Sequence, residues 1–201
     1  MNNNPLNYAI LKKQEAGMNR IFLCALLMIF ALTGAAAQQT ATQQAAAELS
    51  FSFTRQGGFA SNQFAVWVED AQGAHIKTLY ATRFTADGGW KRRPTSIPRW
   101  VKQSSLSSMN KAQVDALTGA TPKSGTLTYR WDGADSRGAP LPAGNYVIFL
   151  EGTLRNDNQV VYRAPIRLGQ GPAAAEVSVE YVGKPGSENA MIGNVTARAL
   201  R

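Results

Sequence analysis

The chain has one cysteine and one histidine in 201 residues. So few thiols exclude a disulfide framework and a cysteine metal site, since either needs several cysteines at set spacings. The lone histidine, His75, excludes a multi-histidine centre. It stands between Gly73-Ala74 and Ile76 at an expected turn, where a surface imidazole is the ordinary reading. No Gly-x-Ser-x-Gly occurs, and with one histidine and no metal set nothing supports a hydrolase. Acids are scarce as well, 13 against 21 Lys and Arg, which gives a net charge of +8. No apolar run reaches the roughly 20 residues of a comfortable transmembrane helix. A stand-alone catalyst is not expected.

What is present begins with an export signal. Met18-Asn19-Arg20, the apolar run Ile21–Leu32 and Thr33-Gly34-Ala35-Ala36-Ala37 have the charged start, short hydrophobic centre and Ala-x-Ala end of a secretory peptide at 18–37, with cleavage before Gln38. Residues 1–17 read as an upstream extension from a mis-assigned start, with translation expected at Met18. Cys24 lies inside the signal, and Ile21-Phe22-Leu23 before it lacks the small residues of a lipoprotein signal. A mature chain would therefore carry no thiol and, once cleaved, no integral membrane segment. The destination implied is the periplasm of a Gram-negative bacterium.

Removing residues 1–37 takes away Lys12, Lys13, Arg20 and Glu15, leaving 18 Lys and Arg against 12 Asp and Glu, a charge of +6. The excess is concentrated. Arg83, Lys91, Arg92, Arg93, Arg99 and Lys102 face one acid, Asp87, with Phe84, Trp90 and Trp100 interleaved. Such a stretch suits nucleic acid, an anionic membrane surface or a phosphate-bearing cofactor, or it is a solvated loop whose tryptophans pack on the domain. Export argues against nucleic acid.

Residues 38–47, rich in Gln, Ala and Thr, read as a flexible tether. From there the domain at 48–201 is a succession of short alternating runs, the pattern of strands with one buried face. The first is Leu49–Thr54. Gln63–Glu69 and Ile76–Thr82 flank a turn and form a hairpin. Further strands are expected at Gly125–Trp131, Asn145–Leu154, Gln159–Leu168, Glu176–Val182 and Ile192–Ala197. Seven or eight strands interrupted by one long insert, 84–124, predict an all-β sandwich of the immunoglobulin-like kind. Within the insert Asn110–Leu117 predicts a short helix, with Gly119 as its left-handed stop. Asp70, Asp132 and Asp135 offer oxygens for calcium, but their spacing lacks the regular acidic pattern of a calcium loop, and Asp-Gly and Asp-Ser are ordinary turn formers. Trp131 and Tyr146 are expected in the core.

The helix runs into Asp115-Ala116-Leu117-Thr118-Gly119-Ala120-Thr121. This resembles Asp-x-x-Ser/Thr-Gly-Ala-Thr/Ser, the flavinylation motif of the FMN-carrying subunits of ion-pumping quinone reductases. Average residue usage makes a match at five specified positions a chance event in about one chain in a thousand of this length. It therefore stands as a signal beside the plain helix-end reading. The resemblance implies FMN joined covalently to Thr121 by a separate exported flavin transferase that cleaves FAD with a divalent cation. Asp115, Thr118, Gly119 and Ala120 would be what the transferase recognises. Lys91, Arg92 and Arg93 are then expected to offset the phosphodiester, and Trp90 or Trp100 to pack on the flavin ring.

Two further resemblances follow. Val66–Gly73, Ile76–Leu79, Trp131–Gly138 and Leu141–Tyr146 are similar to the immunoglobulin-like module of flagellar hook-capping proteins, a structural likeness over much of residues 60–155. The mature sequence, including Arg55–Phe59 and Lys91–Pro94, resembles an uncharacterised family of predicted periplasmic proteins, a domain of unknown function that accompanies PepSY-type membrane reductases and flavin transferases. Together they imply a periplasmic electron carrier served by such a reductase or another periplasmic redox protein. The alternative is a non-redox periplasmic binding or assembly module that uses the basic insert as its contact surface.

Overall fold

The structure is a computed structural model that describes residues 44–58, 60–155, 158–183 and 191–201. The expected signal peptide, the upstream extension and positions 38–43 of the tether lie outside the described residues.

Among the described residues, ten strands form two sheets packed face to face: β1 (Ala47–Phe53), β2 (Gln63–Asp70), β3 (His75–Thr82), β4 (Thr118–Gly119), β5 (Gly125–Trp131), β6 (Gly144–Arg155), β7 (Asn158–Leu168), β8 (Ala173–Ala175), β9 (Ser178–Gly183) and β10 (Ile192–Ala199). One sheet has the order β5-β1-β10-β8 and the other β4-β3-β2-β6-β7-β9. Every pair is antiparallel except β3 and β4. The expected all-β sandwich is present. It holds ten strands rather than seven or eight because β4 and β8, of two and three residues, are too short to show an alternation.

The folded part also starts earlier than Glu48. Ala46 and Ala47 are fully buried, and the Ala46 N–H donates to the Trp131 carbonyl at 2.7 Å. The last two tether positions are thus core, where small apolar side chains fit beneath β5.

Alternation in β1 turns Leu49, Phe51 and Phe53 inward against Phe64, Val66 and Val68 of β2 and Ile148 and Leu150 of β6. Those two strands are buried on their other face as well. Ala65, Trp67, Phe149 and Val161 form a second core with Ala86, Ile97, Trp100, Leu106 and Val114, all from the insert. The insert is thus a third layer laid over the outer face of the six-stranded sheet, not a loose excursion. It comprises a wide helical turn at Thr85–Gly89, α1 (Trp90–Arg92), α2 (Pro98–Gln103), a 3₁₀ turn at Leu106–Ser108 and α3 (Lys111–Leu117).

Buried polar groups fasten this layer to the sheet. Gln63 Oε1 accepts from the Thr82 and Thr85 hydroxyls at 2.7 and 3.1 Å, and Thr85 reaches Ser96 at 2.7 Å. The Ile97 N–H donates to Thr153 Oγ1 at 2.9 Å. At the start of α2 the Arg99 and Trp100 N–H groups donate to the two Glu151 oxygens at 3.1 and 2.8 Å. Glu69, 2% exposed, accepts from Trp67 Nε1 at 2.7 Å and Gln103 Nε2 at 3.0 Å. Each bond meets a donor that burial would otherwise leave unpaired, a cost of about 1–3 kcal/mol apiece.

Burial pushes the Glu151 carboxyl up to about 7, with the Trp100 and Arg99 N–H groups and the Arg99 charge pulling the other way. Between its ordinary value of 4.5 and about 7, the folded chain holds a proton that the unfolded chain has released. Stability from this group is therefore fully present below pH 4.5 and declines as pH rises towards 7, by up to about 3 kcal/mol. The Glu151→Gln variant should lose that decline. Urea unfolding from pH 4.5 to 7.5 checks it, the expected result being a flatter stability profile for the variant than for the wild type.

Candidate functional site

Helix α3 opens on a capping box: Asn110 Oδ1 accepts from the Gln113 N–H at 3.0 Å, and Gln113 Oε1 accepts from the Asn110 N–H at 2.9 Å. The expected helix is therefore present. Its expected stop is not, because Thr118 is extended, with φ −117° and ψ 154°, and Gly119 continues as β4. The pairing of Thr118 with Ala81 and of Gly119 with Thr82 draws the chain onto the edge of β3 instead. Gly119 is small for a packing reason. A Cβ there would lie 2.8 Å from Cε2 of Tyr80.

The motif residues are presented unequally. Asp115 lies on the exposed side of α3, its carboxylate 2.9 Å from Lys111 Nζ, and the hydrogen bond and charge of Lys111 hold it below the usual carboxylate range. Thr118 is half-buried, and its hydroxyl oxygen is shielded from solvent without a partner among the described residues. Ala120 is exposed, and its carbonyl accepts from the Tyr80 hydroxyl at 2.7 Å. Burial pushes that phenol up to about 12, so it remains a donor throughout the physiological range. Thr121 is half-exposed in the irregular piece between β4 and β5, and its hydroxyl makes no hydrogen bond to the described residues. Past it, Ser124 Oγ accepts from the Arg55 N–H at 2.9 Å. Thr121 thus sits on a short span pinned at both ends.

The basic stretch divides. Lys91 Nζ lies 5.5 Å from the centre of the Trp90 ring, and both residues line an open groove of about 240 Å³ with Pro94, Pro98, Val101 and Lys102. Arg92 and Arg93 turn instead to Phe84, with guanidinium carbons 5.5 and 5.2 Å from its ring centre. Arg93 has already left the helix, with φ −136° and ψ 79°, and joins Arg92 at Phe84 while Lys91 faces the groove, so the three cations in a row do not form one patch. Trp100 is not available to a flavin ring at all. It is fully buried in the second core, with Nε1–H donating to Thr78 Oγ1 at 3.0 Å. Its expected role is corrected on that ground.

Register shows which of these groups adjoin the motif. Thr82 pairs with Gly119, so Phe84 and Thr121, each two residues further on, leave the same end of the sheet. Arg83, exposed between them on the β3 side, acts electrostatically on both Lys111 and Asp115. Tyr80 was expected only as a strand residue, yet it determines how the motif lies. Its one signal in the sequence is its position near the end of a strand that runs into the insert.

Other polar candidates have local duties. His75 begins β3 rather than a turn, and its Nε2 lies 2.9 Å from Thr78 Oγ1. Asp132 pairs with Lys77 at 2.9 Å and accepts from the Ala134 N–H. Asp135 accepts from the Arg137 and Ala139 N–H groups at 2.8 and 2.9 Å. Both aspartates are turn formers. No cluster of three metal-binding side chains occurs among the described residues, nor is any helix among them long and apolar enough to cross a membrane.

Residues 44–184 match the model of a family described as predicted periplasmic protein (DUF2271). No curated protein and no solved structure matches the chain.

The Gly119→Ala variant should force the Tyr80 ring aside and strain the contact that orders Ala120. Overpacking of this kind costs about 1–3 kcal/mol. The expected loss is read as a lower urea midpoint with an unchanged slope, which would place the effect in the folded state.

Proposed function

We propose that the chain, which belongs to the DUF2271 family of predicted periplasmic proteins, is an exported electron carrier with FMN attached covalently to Thr121 by a separate flavin transferase. The observation that carries this reading is the presentation of Thr121. Within a sequence that resembles a flavin attachment motif, it is the half-exposed hydroxyl, without a partner among the described residues, on a span held at Ala120 and Ser124. Exposed loops on a rigid scaffold are where an enzyme can reach an acceptor.

In the attachment step Thr121 Oγ bonds the phosphorus on the flavin side of the FAD pyrophosphate. The P–O bond between the two phosphates breaks, AMP leaves and the hydroxyl proton passes to a base of the transferase. No electrons change hands. A threonine hydroxyl is a weak nucleophile without a base, so the transferase supplies activation as well as a divalent cation. FMN, once bound, passes electrons singly or in pairs, while the protein sets its position and surroundings. Exposed Arg83, Arg92 and Lys91 and half-buried Arg93 make the nearby surface cationic, which suits a phosphodiester. A membrane reductase of the PepSY type, or another periplasmic redox protein, is the partner that fits such a carrier.

A second reading, a non-redox periplasmic binding or assembly module, is favoured by the groove around Trp90. Its apolar floor of Pro94, Pro98 and Val101 is flanked by Lys91 and Lys102, a surface suited to an acidic, partly apolar partner.

Intact mass and peptide mapping of protein co-produced with an active flavin transferase separate the two. Wild type is expected to gain one FMN phosphodiester on the peptide containing Thr121. Thr121→Ser should retain it and Thr121→Ala should lose it completely. Unmodified wild type beside a transferase that labels a known acceptor would favour the binding module.

A further inference from the structure

Four large hydrophobic residues are exposed among those described, and only one of them, Phe84, lies beside the motif; Val179, Tyr181 and Val182 belong to β9 at the opposite edge of the sheet. Phe84, two residues past the end of β3, is 38% exposed. The turn that carries it is tight. A side chain at Gly89 would collide with the Phe84 carbonyl, Gly88 takes φ +81°, and the Arg93 N–H closes onto the Gly89 carbonyl at 2.8 Å. That closure brings Arg92 and Arg93 back over the Phe84 ring. Neither guanidinium has an acidic partner among the described residues, so each keeps donors for an incoming anion.

An exposed aromatic ring beside two guanidiniums without an acidic partner among the described residues is the pairing that an aromatic phosphate ester calls for. Arginine binds phosphate through paired N–H donors, and a flat apolar ring gains by covering exposed aromatic surface. The ladder between β3 and β4 places this cluster at the same sheet end as Thr121. Resting on the reading of Thr121 as the acceptor, we propose that Phe84, Arg92 and Arg93 form the seat of the tethered flavin, the two arginines holding its phosphodiester and Phe84 its ring. Lys91 and Trp90 face the groove and stand outside this seat.

The test uses full-length protein co-produced with a transferase and compares wild type, Phe84→Ala, Phe84→Leu, Arg92→Gln/Arg93→Gln and Trp90→Ala. Mass spectrometry reports attachment. Flavin fluorescence anisotropy and visible circular dichroism report whether the ring is held, and urea unfolding reports whether each variant is folded. All variants should be flavinylated. Wild type and Trp90→Ala should show high anisotropy and an induced dichroic signal. Phe84→Ala and the double arginine variant should lose both, Phe84→Leu should keep part, and the double variant should also have a lowered reduction potential, since fewer cations stabilise reduced flavin. Flavinylated Phe84 and arginine variants with wild-type signals would overturn the seat while leaving the carrier intact. A loss confined to Trp90→Ala would move the flavin to the groove and overturn it equally. Wild type without any flavin would overturn the carrier reading and this inference together.

Discussion

The contact on which the outer layer depends is the acceptance of the Arg99 and Trp100 N–H groups by the buried Glu151 carboxyl. Helix α2 has six residues and could not persist alone, because a helix so short fixes many dihedrals for few internal bonds. It is stable only while its first turn is bonded to β6 and while Trp100 fills the space over Trp67 and Phe149. Trp67 and Phe149 are themselves stacked 5.0 Å apart with the Arg99 guanidinium 4.5 Å from the Phe149 ring. Apolar contact supplies the attraction, and Glu151 with Thr153 and Gln63 decides where along the sheet the layer sits.

The position of the motif follows from that placement. Helix α3 rests on the insert through Val114, and its C-terminal end delivers Thr118 and Gly119 to the edge of β3. Had the helix ended on a left-handed glycine, the chain would have turned into solvent there. It instead enters the sheet edge, where Tyr80 fits over Gly119 and bonds Ala120. Tyr80 in turn lies 5.1 Å from both Phe64 and Tyr129, so the main core, through one aromatic stack, holds the segment ahead of Thr121.

Much of the sandwich was legible because alternation is a local signal. Strand β1 shows it plainly, and the turns at Asp70–Gly73 and Asp132–Gly138 carry their own chemistry. Apart from α3, which Asn110–Leu117 announces, the outer layer was not legible for a matching reason. Its other helical pieces, three to six residues long, are too short for a 3.6-residue period to emerge. Ile97, just ahead of α2, and Trp100 within it are both fully buried, a cue obscured by Arg99 and Lys102 around them. In β2, Trp67 and Glu69 looked like a pattern with one wet face, although both are covered by a layer distant in sequence. The motif itself could be read, since it is a string of residue types. The reason for its glycine could not, because Tyr80 meets it only in the folded chain.

One motif residue conflicts with simple recognition of the folded surface. The Thr118 hydroxyl oxygen is shielded and has no partner among the described residues, whereas Asp115 is open to solvent. Any enzyme that reads Thr118 through its hydroxyl has to lift β4 away from β3 first. The fold makes this inexpensive: β4 has two residues, lies at the edge of the sheet and pairs on one side only. An unsatisfied hydroxyl even regains a hydrogen bond on release, which offsets part of the ladder that is broken. Short edge elements with few buried contacts open at far lower free energy than the core, so the segment can be exposed without unfolding the sandwich. Its two pins differ in this respect. The bond from Arg55 to Ser124 lies beyond Thr121 and survives the lifting of β4, while the bond from Tyr80 to Ala120 has to break. After release, β4 can close again by the same pairing, returning Thr121 to the end of the sheet where Phe84 leaves β3.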